Sequence, residues 1–414
     1  MKIRYIYSAC IVIETADCRI CCDPWFTQGA YEGSWYQFPV VADPIAVIGN
    51  IEYVYVSHIH PDHYDPSFLK SLLLVNPNCA IIVGAENQKY LIAKMQRDGF
   101  APISVSELTI GRTHIRIFPN FIDNELGIDS ALAVKENGMS MVNMNDCPFD
   151  ENQLKQVREF CEGSPDFACL PYAGAGPYPQ MYQFKRTEEL FVAVERKKEQ
   201  FAALFSKYLS TLDPHYAMPF AGLYYLGGSL RSKNEFRGIL DSLEMKKRHG
   251  DSIVVLQEGV GEFNVESGAI THARHDMQDV VARNQFLTQF DNNPYPYQIG
   301  PLIDIQILVG LLQTAHGKAV TRLEDLPQGH ICFKVAVTTY LCVHAKNPGV
   351  VDVRRTVEEL KNIEIITIDT RLFHGLLTKK YHWNNAEVGS HFEFYRDTDV
   401  YDHRVYDFLN FLHI

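Results

Sequence analysis

The stretch Ser57-His58-Ile59-His60-Pro61-Asp62-His63 decides how this chain folds and what chemistry it can carry. It directly follows Tyr53-Val54-Tyr55-Val56, a run typical of a buried β-strand. Three imidazoles and one carboxylate therefore leave a single strand-to-helix loop. Converging imidazole nitrogens and carboxylate oxygens are the ligands that borderline metal cations prefer. The stretch predicts a metal centre, although histidines can also form an ordinary hydrogen-bonded network.

Short β-runs separated by helical stretches fill about the first 230 residues. Ile3–Ile6 and Cys10–Glu14 have the composition of strands, whereas apolar residues recur at helical spacing in Pro66–Val75, Asn87–Gln96 and Arg186–Thr211. This order predicts an α/β fold in which helices pack against a sheet.

The length of 414 residues exceeds one ordinary hydrophobic core, so more than one folding unit is expected. A polar stretch ends in Asp291-Asn292-Asn293-Pro294-Tyr295-Pro296, which concentrates turn-forming residues. We predict a catalytic domain over residues 1–240, a connecting segment over 241–295 and a smaller α+β domain over 296–414.

The formal net charge of −12 argues against nucleic acid as a partner, because phosphate binding needs a basic surface. Met1–Ile6 does not begin a secretory signal, and the longest apolar stretch, Ile303–Leu312, is too short to span a bilayer. We therefore expect a cytoplasmic protein that acts on a polar small molecule and has no membrane partner. The oligomeric state stays open.

The His58–His63 spacing resembles the H-x-H-x-D-H pattern of the metallo-β-lactamase superfamily. This resemblance implies an αββα sandwich, with His58 and His60 on one metal ion and Asp62 and His63 on a second. It also implies that Asp62 acts in catalysis. A bridging Asp is expected after a later apolar strand. Asp146 fits that place, with Asn145 where the superfamily usually has glycine.

The third ligand of the first metal ion is usually a histidine before that strand, and no histidine stands there. His114 comes too early, inside a strand-like run. Asp123-Asn124-Glu125 occupies the equivalent place, so Glu125 is predicted as the ligand, with Asp123 in reserve. A solvated loop acid is the alternative.

The last superfamily ligand is a histidine near a proline at the end of another strand. The matching segment here ends in Ala221, and His215 lies at its other end. The second metal ion is therefore expected either to lack one ligand or to receive it from His374, His382 or His391.

Several ordered segments resemble the catalytic region of the CMP-N-acetylneuraminate hydroxylase family. They are Ala9–Ile13, Asp23-Pro24-Trp25, Asn145-Asp146-Cys147, Ala173–Pro179, Glu195–Lys198, Pro219–Gly222 and His382-Trp383-Asn384-Asn385. That family also carries a Rieske domain. The only C-x-H here is Cys342-Val343-His344, without the C-x-x-H that a Rieske cluster needs, so none is expected in this chain.

A second resemblance is to the diiron β-hydroxylase of chloramphenicol biosynthesis, in which a glutamate replaces the third histidine, as Glu125 would here. Carboxylate in place of imidazole favours iron over zinc. The resemblance implies a diiron oxygenase that hydroxylates or N-oxygenates an amino sugar, a nucleotide sugar or an amino acid derivative, with an external reductase as electron donor. The alternatives are a dinuclear zinc hydrolase of an ester, amide or phosphodiester, and a non-catalytic protein with a vestigial site.

The loop Ala173–Pro179 contains Gly174 and Gly176, and Lys185 and Arg186 follow closely. Backbone amides exposed by glycines, with cations nearby, can bind a phosphate. These four residues are predicted to contact the substrate, and a plain turn is the alternative.

Overall fold

The computed structural model describes residues 1–120, 127–397 and 400–414. Strands and helices are numbered along the chain. The strands are β1 (Lys2–Tyr7), β2 (Cys10–Glu14), β3 (Arg19–Cys22), β4 (Trp35–Tyr36), β5 (Tyr53–Tyr55), β6 (Ala80–Gly84), β7 (Ile103–Val105), β8 (Glu107–Ile110), β9 (Thr113–Pro119), β10 (Ser130–Glu136), β11 (Met139–Asn143), β12 (Phe167–Pro171), β13 (Tyr216–Phe220), β14 (Tyr225–Leu226), β15 (Glu262–Asn264), β16 (Ile270–Thr271), β17 (His330–Ala336), β18 (Thr339–His344), β19 (Asp352–Arg354), β20 (Ile363–Thr367) and β21 (Glu393–Arg396).

The helices are α1 (Ala30–Gly33), α2 (Pro44–Ile48), α3 (Pro66–Val75), α4 (Lys89–Arg97), α5 (Glu151–Phe160), α6 (Thr187–Leu212), α7 (Ser242–His249), α8 (Val280–Thr288), α9 (Ile305–Arg322), α10 (Thr370–Leu377), α11 (Trp383–Val388) and α12 (His403–Phe411). Short 3-10 helices cover Gly228–Phe236 and Pro296–Gln298. The helix predicted over Pro66–Val75 is confirmed at both ends.

Two large sheets form the first part of the molecule. One has the strand order β16-β15-β1-β2-β3-β5-β6-β7, and the other has the order β13-β12-β11-β10-β9-β8. In the first sheet, β3, β5, β6 and β7 run parallel, so the chain leaves β5 and crosses over through α3 before it returns as β6. The predicted ligand loop lies in this crossover.

The two sheets face each other across a buried core. Ile11, Ile82 and Tyr55 from the first sheet pack in one cluster with Leu132 and Phe167 from the second. Helices α3 and α4 cover the outer face of the first sheet, and α5, α6 and α7 cover the outer face of the second. The predicted αββα sandwich is confirmed.

Strands β14 and β4 form a small two-stranded sheet, and a sheet of five strands, ordered β19-β18-β17-β20-β21, begins at His330. Its core is continuous with the first part of the molecule, because Phe333 and Trp383 belong to the same buried cluster as Trp25, Trp35 and Tyr224. The division of the chain at residues 240 and 295 stays a prediction. Strands β15 and β16, from the predicted connecting segment, extend the first sheet.

Helix α3 holds the ligand loop at its downstream end. Pro66 stands in the first turn, where its missing N–H is not needed, and the Asp65 carboxylate accepts a hydrogen bond from the Phe68 amide at 3.0 Å. Asp65 also accepts from the Thr27 amide at 2.7 Å, which ties the loop to a second segment. Within the described residues, no helix combines the length and apolar character that a bilayer crossing requires.

Candidate metal centre

Five of the six predicted ligand residues meet at one edge of the two sheets. His58, His60, Asp62 and His63 follow β5 in the loop before α3, and Asp146 follows β11. His58 and His63 are buried, with 0% and 1% of their side chains exposed, whereas 26% of the Asp146 side chain is exposed. These two imidazoles are therefore fixed inside the protein, whereas part of the Asp146 side chain is accessible from outside.

One group of potential ligands consists of His58, His60 and Asp129. The His58 Nε2 atom lies 2.8 Å from His60 Nδ1 and 3.7 Å from an Asp129 carboxylate oxygen. The three potential ligand atoms lie within 4.8 Å of one another. They could hold one metal ion through two imidazoles and one carboxylate.

A second group consists of His58, His63 and Asp146. The Asp146 Oδ1 atom lies 3.5 Å from His63 Nε2 and 4.0 Å from His58 Nε2, and His63 Nε2 is also 3.5 Å from Asp62 Oδ2. Both groups use the His58 Nε2 atom, and since one imidazole nitrogen binds a single metal ion, the groups overlap and His58 can serve only one of them.

The donor atoms fit a metal ion. Asp146 Oδ1 is buried and has no hydrogen-bond partner among the described residues. A buried carboxylate oxygen without a donor is costly, and a cation removes that cost. Together, the three imidazoles and the carboxylates of Asp62, Asp129 and Asp146 form a donor set that suits iron or zinc.

Hydrogen bonds behind the imidazoles determine which ring nitrogens face the centre. Asp23 Oδ2 accepts from His63 Nδ1 at 3.0 Å and from the Ser57 hydroxyl at 2.7 Å, and Asp23 Oδ1 accepts from the Ser57 amide at 2.7 Å. The Ser57 hydroxyl also contacts His58 Nδ1 at 2.9 Å. Both histidines therefore present Nε2 inward, as carboxylate-supported metal ligands do.

Two further contacts come from distant parts of the chain. Asn384, in α11, places its Oδ1 atom 2.9 Å from His60 Nε2, which leaves His60 Nδ1 toward the centre. The Tyr31 hydroxyl donates to Asp62 Oδ1 at 2.5 Å. His391 bonds the Tyr31 carbonyl through Nε2 at 2.7 Å and contacts the Tyr297 hydroxyl through Nδ1 at 3.1 Å. His391 thus supports Tyr31.

The ionisation of the site reflects burial and the close packing of opposite charges. Burial, followed by the charge of His63, holds the pKa of His58 well below its usual range. Burial would also lower the pKa of His63, but Asp146, Asp62 and Asp23 raise it well above the usual value. Burial, with Asp146 as the next cause, raises the pKa of Asp129 to about 6.

A family comparison identifies the fold of the first part of the chain. The model of the beta-lactamase superfamily domain matches residues 2–220, just over half of the chain. The chain belongs to the β-lactamase superfamily.

Curated relatives of this β-lactamase superfamily chain include two kinds of protein. A Mycobacterium tuberculosis protein named as a Rieske 2Fe-2S iron-sulfur protein is 30% identical over 251 residues, which is 57% of this chain and 46% of the relative. The cytidine monophosphate-N-acetylneuraminic acid hydroxylase of Gorilla gorilla gorilla is 25% identical over 236 residues, which is 54% of this chain and 38% of the relative. The chain matches less than half of the length of each.

Solved structures with the same fold are more distant. An isothiocyanate hydrolase from Delia radicum gut bacteria aligns with a TM-score of 0.44 at 15% identity, covering 64% of this chain and 98% of its own. CmlA, a diiron β-hydroxylase from Streptomyces venezuelae, aligns with a TM-score of 0.39 at 13% identity, covering 60% of this chain and 51% of its own. The predicted resemblances to the superfamily and to the two hydroxylases are thus confirmed as similarities.

The backbone explains the asparagine at the superfamily's glycine position. Asn145 has a φ of 39°, in the left-handed region that glycine and asparagine tolerate best. Its side chain donates to the Ser130 carbonyl at 2.8 Å, and its Oδ1 accepts from the Asp146 amide at 2.7 Å. Asn145 therefore both makes the turn and orients Asp146. Asp23 and Tyr31, which contact His63 and Asp62, also have positive φ, so the backbone is strained at two further positions of this centre.

The remaining predicted ligands have different positions. Glu125 and Asp123 lie outside the described residues, and their predicted role stays a prediction. His114 is exposed in β9 and His215 is paired with Asp166 at 3.1 Å on the surface, so neither approaches the centre. Ala221 stands just after β13, and neither ligand group includes His374, His382 or His391 among the described residues.

The predicted substrate residues lie to one side of the centre. Gly176 lines a cavity of about 660 Å³, and Lys185 and Arg186 line a neighbouring cavity of about 510 Å³. A Cβ atom on Gly174 would come within 2.9 Å of the Phe201 ring, so tight packing explains this glycine. Contact of all four residues with substrate stays a prediction.

Sequence reasoning did not find Asp129, Tyr31 and the supporting role of Asn384. Asp129 immediately precedes the apolar residues of β10. A carboxylate at the end of a predicted strand could have indicated a metal ligand at this position. For Asn384, the only indication in the sequence was that its segment resembles the hydroxylase family. Nothing near Tyr31 in the sequence indicates that its hydroxyl contacts Asp62.

Replacing Asp23 by asparagine is expected to weaken metal binding about 10- to 100-fold. The side chain that orients His63 would lose its negative charge and one of its two acceptor oxygens. Asparagine is chosen because it tolerates the positive φ of Asp23. Competition with a chromophoric chelator measures the change. Asp241→Asn is the matched control, since Asp241 also accepts three hydrogen bonds but lies outside the ligand loop and touches no imidazole. Equal weakening in both variants would contradict the assignment.

Proposed function

We propose that this chain is a dinuclear iron oxygenase that hydroxylates or N-oxygenates a polar small molecule. The observation that carries the proposal is the grouping of His58, His60 and Asp129. Two imidazoles and one carboxylate with open positions are the ligand set of non-haem iron(II) oxygenases. Similarity to hydroxylases of cytidine monophosphate-N-acetylneuraminic acid supports the same class of reaction.

The second position is rich in carboxylates. Asp62 and Asp146 both lie near His63 Nε2, and Ala221 supplies no ligand atom from the end of β13. A harder, more anionic donor set favours iron over zinc.

Bound ferrous ions would supply the electrons that begin the reduction of dioxygen. The residues of the chain hold and protect the site. The Tyr31 hydroxyl donates to Asp62 Oδ1 and so directs Asp62 Oδ2 toward His63. Tyr31 in turn packs against Trp35, which stacks on Tyr224 at 3.4 Å between ring centres. These rings bury Tyr31, which is 3% exposed, beside Asp62.

The balance of the reaction requires a partner. Hydroxylation of one C–H or N–H bond by dioxygen takes two electrons from the substrate and two from a reductant. We propose an external reductase as that donor, in the cytoplasm, and an amino sugar, a nucleotide sugar or an amino acid derivative as substrate. The net charge of −12 is consistent with a small-molecule substrate rather than a nucleic acid.

A zinc hydrolase is the second candidate, because three imidazoles in the two groups also suit zinc. Zinc held by these residues would activate water for the hydrolysis of an ester, amide or phosphodiester. Asp62 would orient this water.

Elemental analysis of aerobically purified protein, with an optical spectrum, separates the two candidates. The proposal predicts iron in excess of zinc and substrate-dependent oxygen uptake when a chemical reductant is supplied. Zinc alone, together with turnover of generic esters or phosphodiesters in the absence of reductant, would replace the proposal with the hydrolase.

A further inference from the structure

The Asp129 carboxylate belongs to a candidate ligand group, but the main chain of Asp129 lies just outside the sheet. Strand β10 begins one residue later, at Ser130. The Asp129 carbonyl accepts a hydrogen bond from the Asn120 amide at 2.9 Å, which continues the pairing of β9 with β10 by one position. The direction of the Asp129 carboxylate therefore depends on how the residues just before β10 are held.

Two neighbouring amide side chains hold these residues. Asn87 and Gln88 stand between β6 and α4. Gln88 Nε2 donates to the Ile128 carbonyl at 2.6 Å. Asn87 Nδ2 donates to the Asp129 carbonyl at 2.8 Å and to the Gly127 carbonyl at 3.1 Å. Three consecutive carbonyl groups thus accept hydrogen bonds from one pair of adjacent residues.

The two amide groups also fix each other. Gln88 Nε2 donates to Asn87 Oδ1 at 2.9 Å, and Gln88 is 2% exposed. Asn87 Nδ2 also reaches the Asn120 carbonyl at 3.2 Å, just after β9. The end of β9 and the beginning of β10 are therefore tied to the same amide pair.

Sheet topology explains why a segment after β6 can reach Asp129. Strands β5 and β6 are parallel neighbours, so their carboxyl ends meet at the same edge of the first sheet. His58 and His60 follow β5 at that edge, and Asn87 and Gln88 follow β6. The amide pair therefore approaches the candidate centre from the strand next to the one that carries the imidazoles.

Helix α4 lacks a side-chain cap as a result of this arrangement. Gln88 is the residue before the first turn of α4, yet its side chain makes no capping hydrogen bond. Ser, Thr, Asp or Asn at such a position would bond the first free amides of the helix. The Gln88 amide is directed to Ile128 instead, a contact that formation of the helix does not require. The contact with Ile128 explains this residue better than the helix does.

We propose that Asn87 and Gln88 are positioning residues that keep the Asp129 carboxylate at the metal centre. They act on the main chain of residues 127–129, and Asp129 carries the effect to the bound metal ion. This inference rests on the metal centre of the proposed function, but it does not depend on the reaction at that centre. A positioning role predicts that loss of either amide weakens metal binding only while the Asp129 carboxylate is present.

Gln88→Met tests the proposal, because methionine has a similar length but cannot donate to the Ile128 carbonyl. In the full chain, stripped of metal with a chelator, we expect this variant to bind Co²⁺ about tenfold more weakly than the wild type. Asn87→Leu should cause a loss of similar size, because it removes the donor to the Asp129 carbonyl. Competition with a chromophoric chelator measures both affinities. Wild-type Co²⁺ affinity in both variants would overturn the proposal.

Asn76→Leu is the matched control. The Asn76 amide also bonds two main-chain carbonyls, those of Gly49 at 3.3 Å and Leu72 at 3.2 Å, and Asn76 is 6% exposed. It ends α3 and accepts from the Ile51 amide before β5, at the other end of that strand from the ligand loop. The control should lower the melting temperature and leave the Co²⁺ affinity unchanged. An equal loss of Co²⁺ affinity in Asn76→Leu and Gln88→Met would attribute the effect to general destabilisation and overturn the proposal.

A double-mutant cycle with Asp129→Asn separates positioning from a purely structural role. If Gln88 acts through the Asp129 carboxylate, Gln88→Met should weaken Co²⁺ binding less than about twofold in the Asp129→Asn background. An equal loss in both backgrounds would overturn the positioning role. Wild-type Co²⁺ affinity in Asp129→Asn alone would also overturn it, because no ligand would then remain to be positioned. These measurements need neither dioxygen nor a substrate, so failure of the proposed oxygenase activity would not change their outcome.

Discussion

Replacing Asp146 by asparagine is expected to remove most of the bound metal and to abolish any metal-dependent turnover. The Asp146 Oδ1 atom is buried, has no hydrogen-bond partner among the described residues, and lies within 4.0 Å of both His58 and His63. An amide at this position has no negative charge and offers a single weaker oxygen. We expect metal affinity to fall on the order of 100-fold or more. This loss exceeds the loss expected when the replaced residue only forms a hydrogen bond to a metal ligand.

Metal content after dialysis against a weak chelator, together with oxygen uptake, measures this effect. Asp150→Asn is the matched control, because Asp150 caps α5 four residues later and contacts no imidazole. The control should lose some stability through its weakened cap and should keep its metal. Wild-type metal content in Asp146→Asn would show that the centre does not use this carboxylate.

The second large effect distinguishes two candidate ligands of the first metal ion. Asp129→Asn is expected to remove one of the two proposed metal ions and to reduce activity at least 100-fold, because Asp129 lies 3.7 Å from His58 Nε2 and completes the group with His60. Glu125→Gln, by contrast, tests the sequence-based assignment, since Glu125 lies outside the described residues.

Metal stoichiometry of the two variants, measured side by side, decides between the carboxylates. Retention of both metal ions in Glu125→Gln and loss of one in Asp129→Asn would assign Asp129. The reverse pattern would assign Glu125 and reject the grouping of His58, His60 and Asp129. Asp123→Asn completes the comparison, because Asp123 is the reserve residue of the sequence-based assignment.

Much of the fold was predictable because it depends on local patterns. The Pro66–Val75 helix contains its first-turn proline and its regularly spaced apolar residues within ten positions, and the capping Asp65 stands directly before them. The strand before His58 was predictable for the same reason, since its apolar and aromatic residues are contiguous. Sheet order was not predictable in this way, because the pairing of β15 with β1 joins segments about 260 residues apart.

The sequence by itself determined the core of the candidate centre, because His58, His60, Asp62 and His63 are carried on one loop that a buried strand and a capped helix hold at each end. Only the tertiary structure decided which groups surround these residues. Asp23, Tyr31, Asp129 and Asn384 come from four separate segments, and Asn384 is 324 positions from His60. Hydrogen-bond distances of about 3 Å between such segments depend on how the sheets and helices pack, and no local pattern encodes that packing.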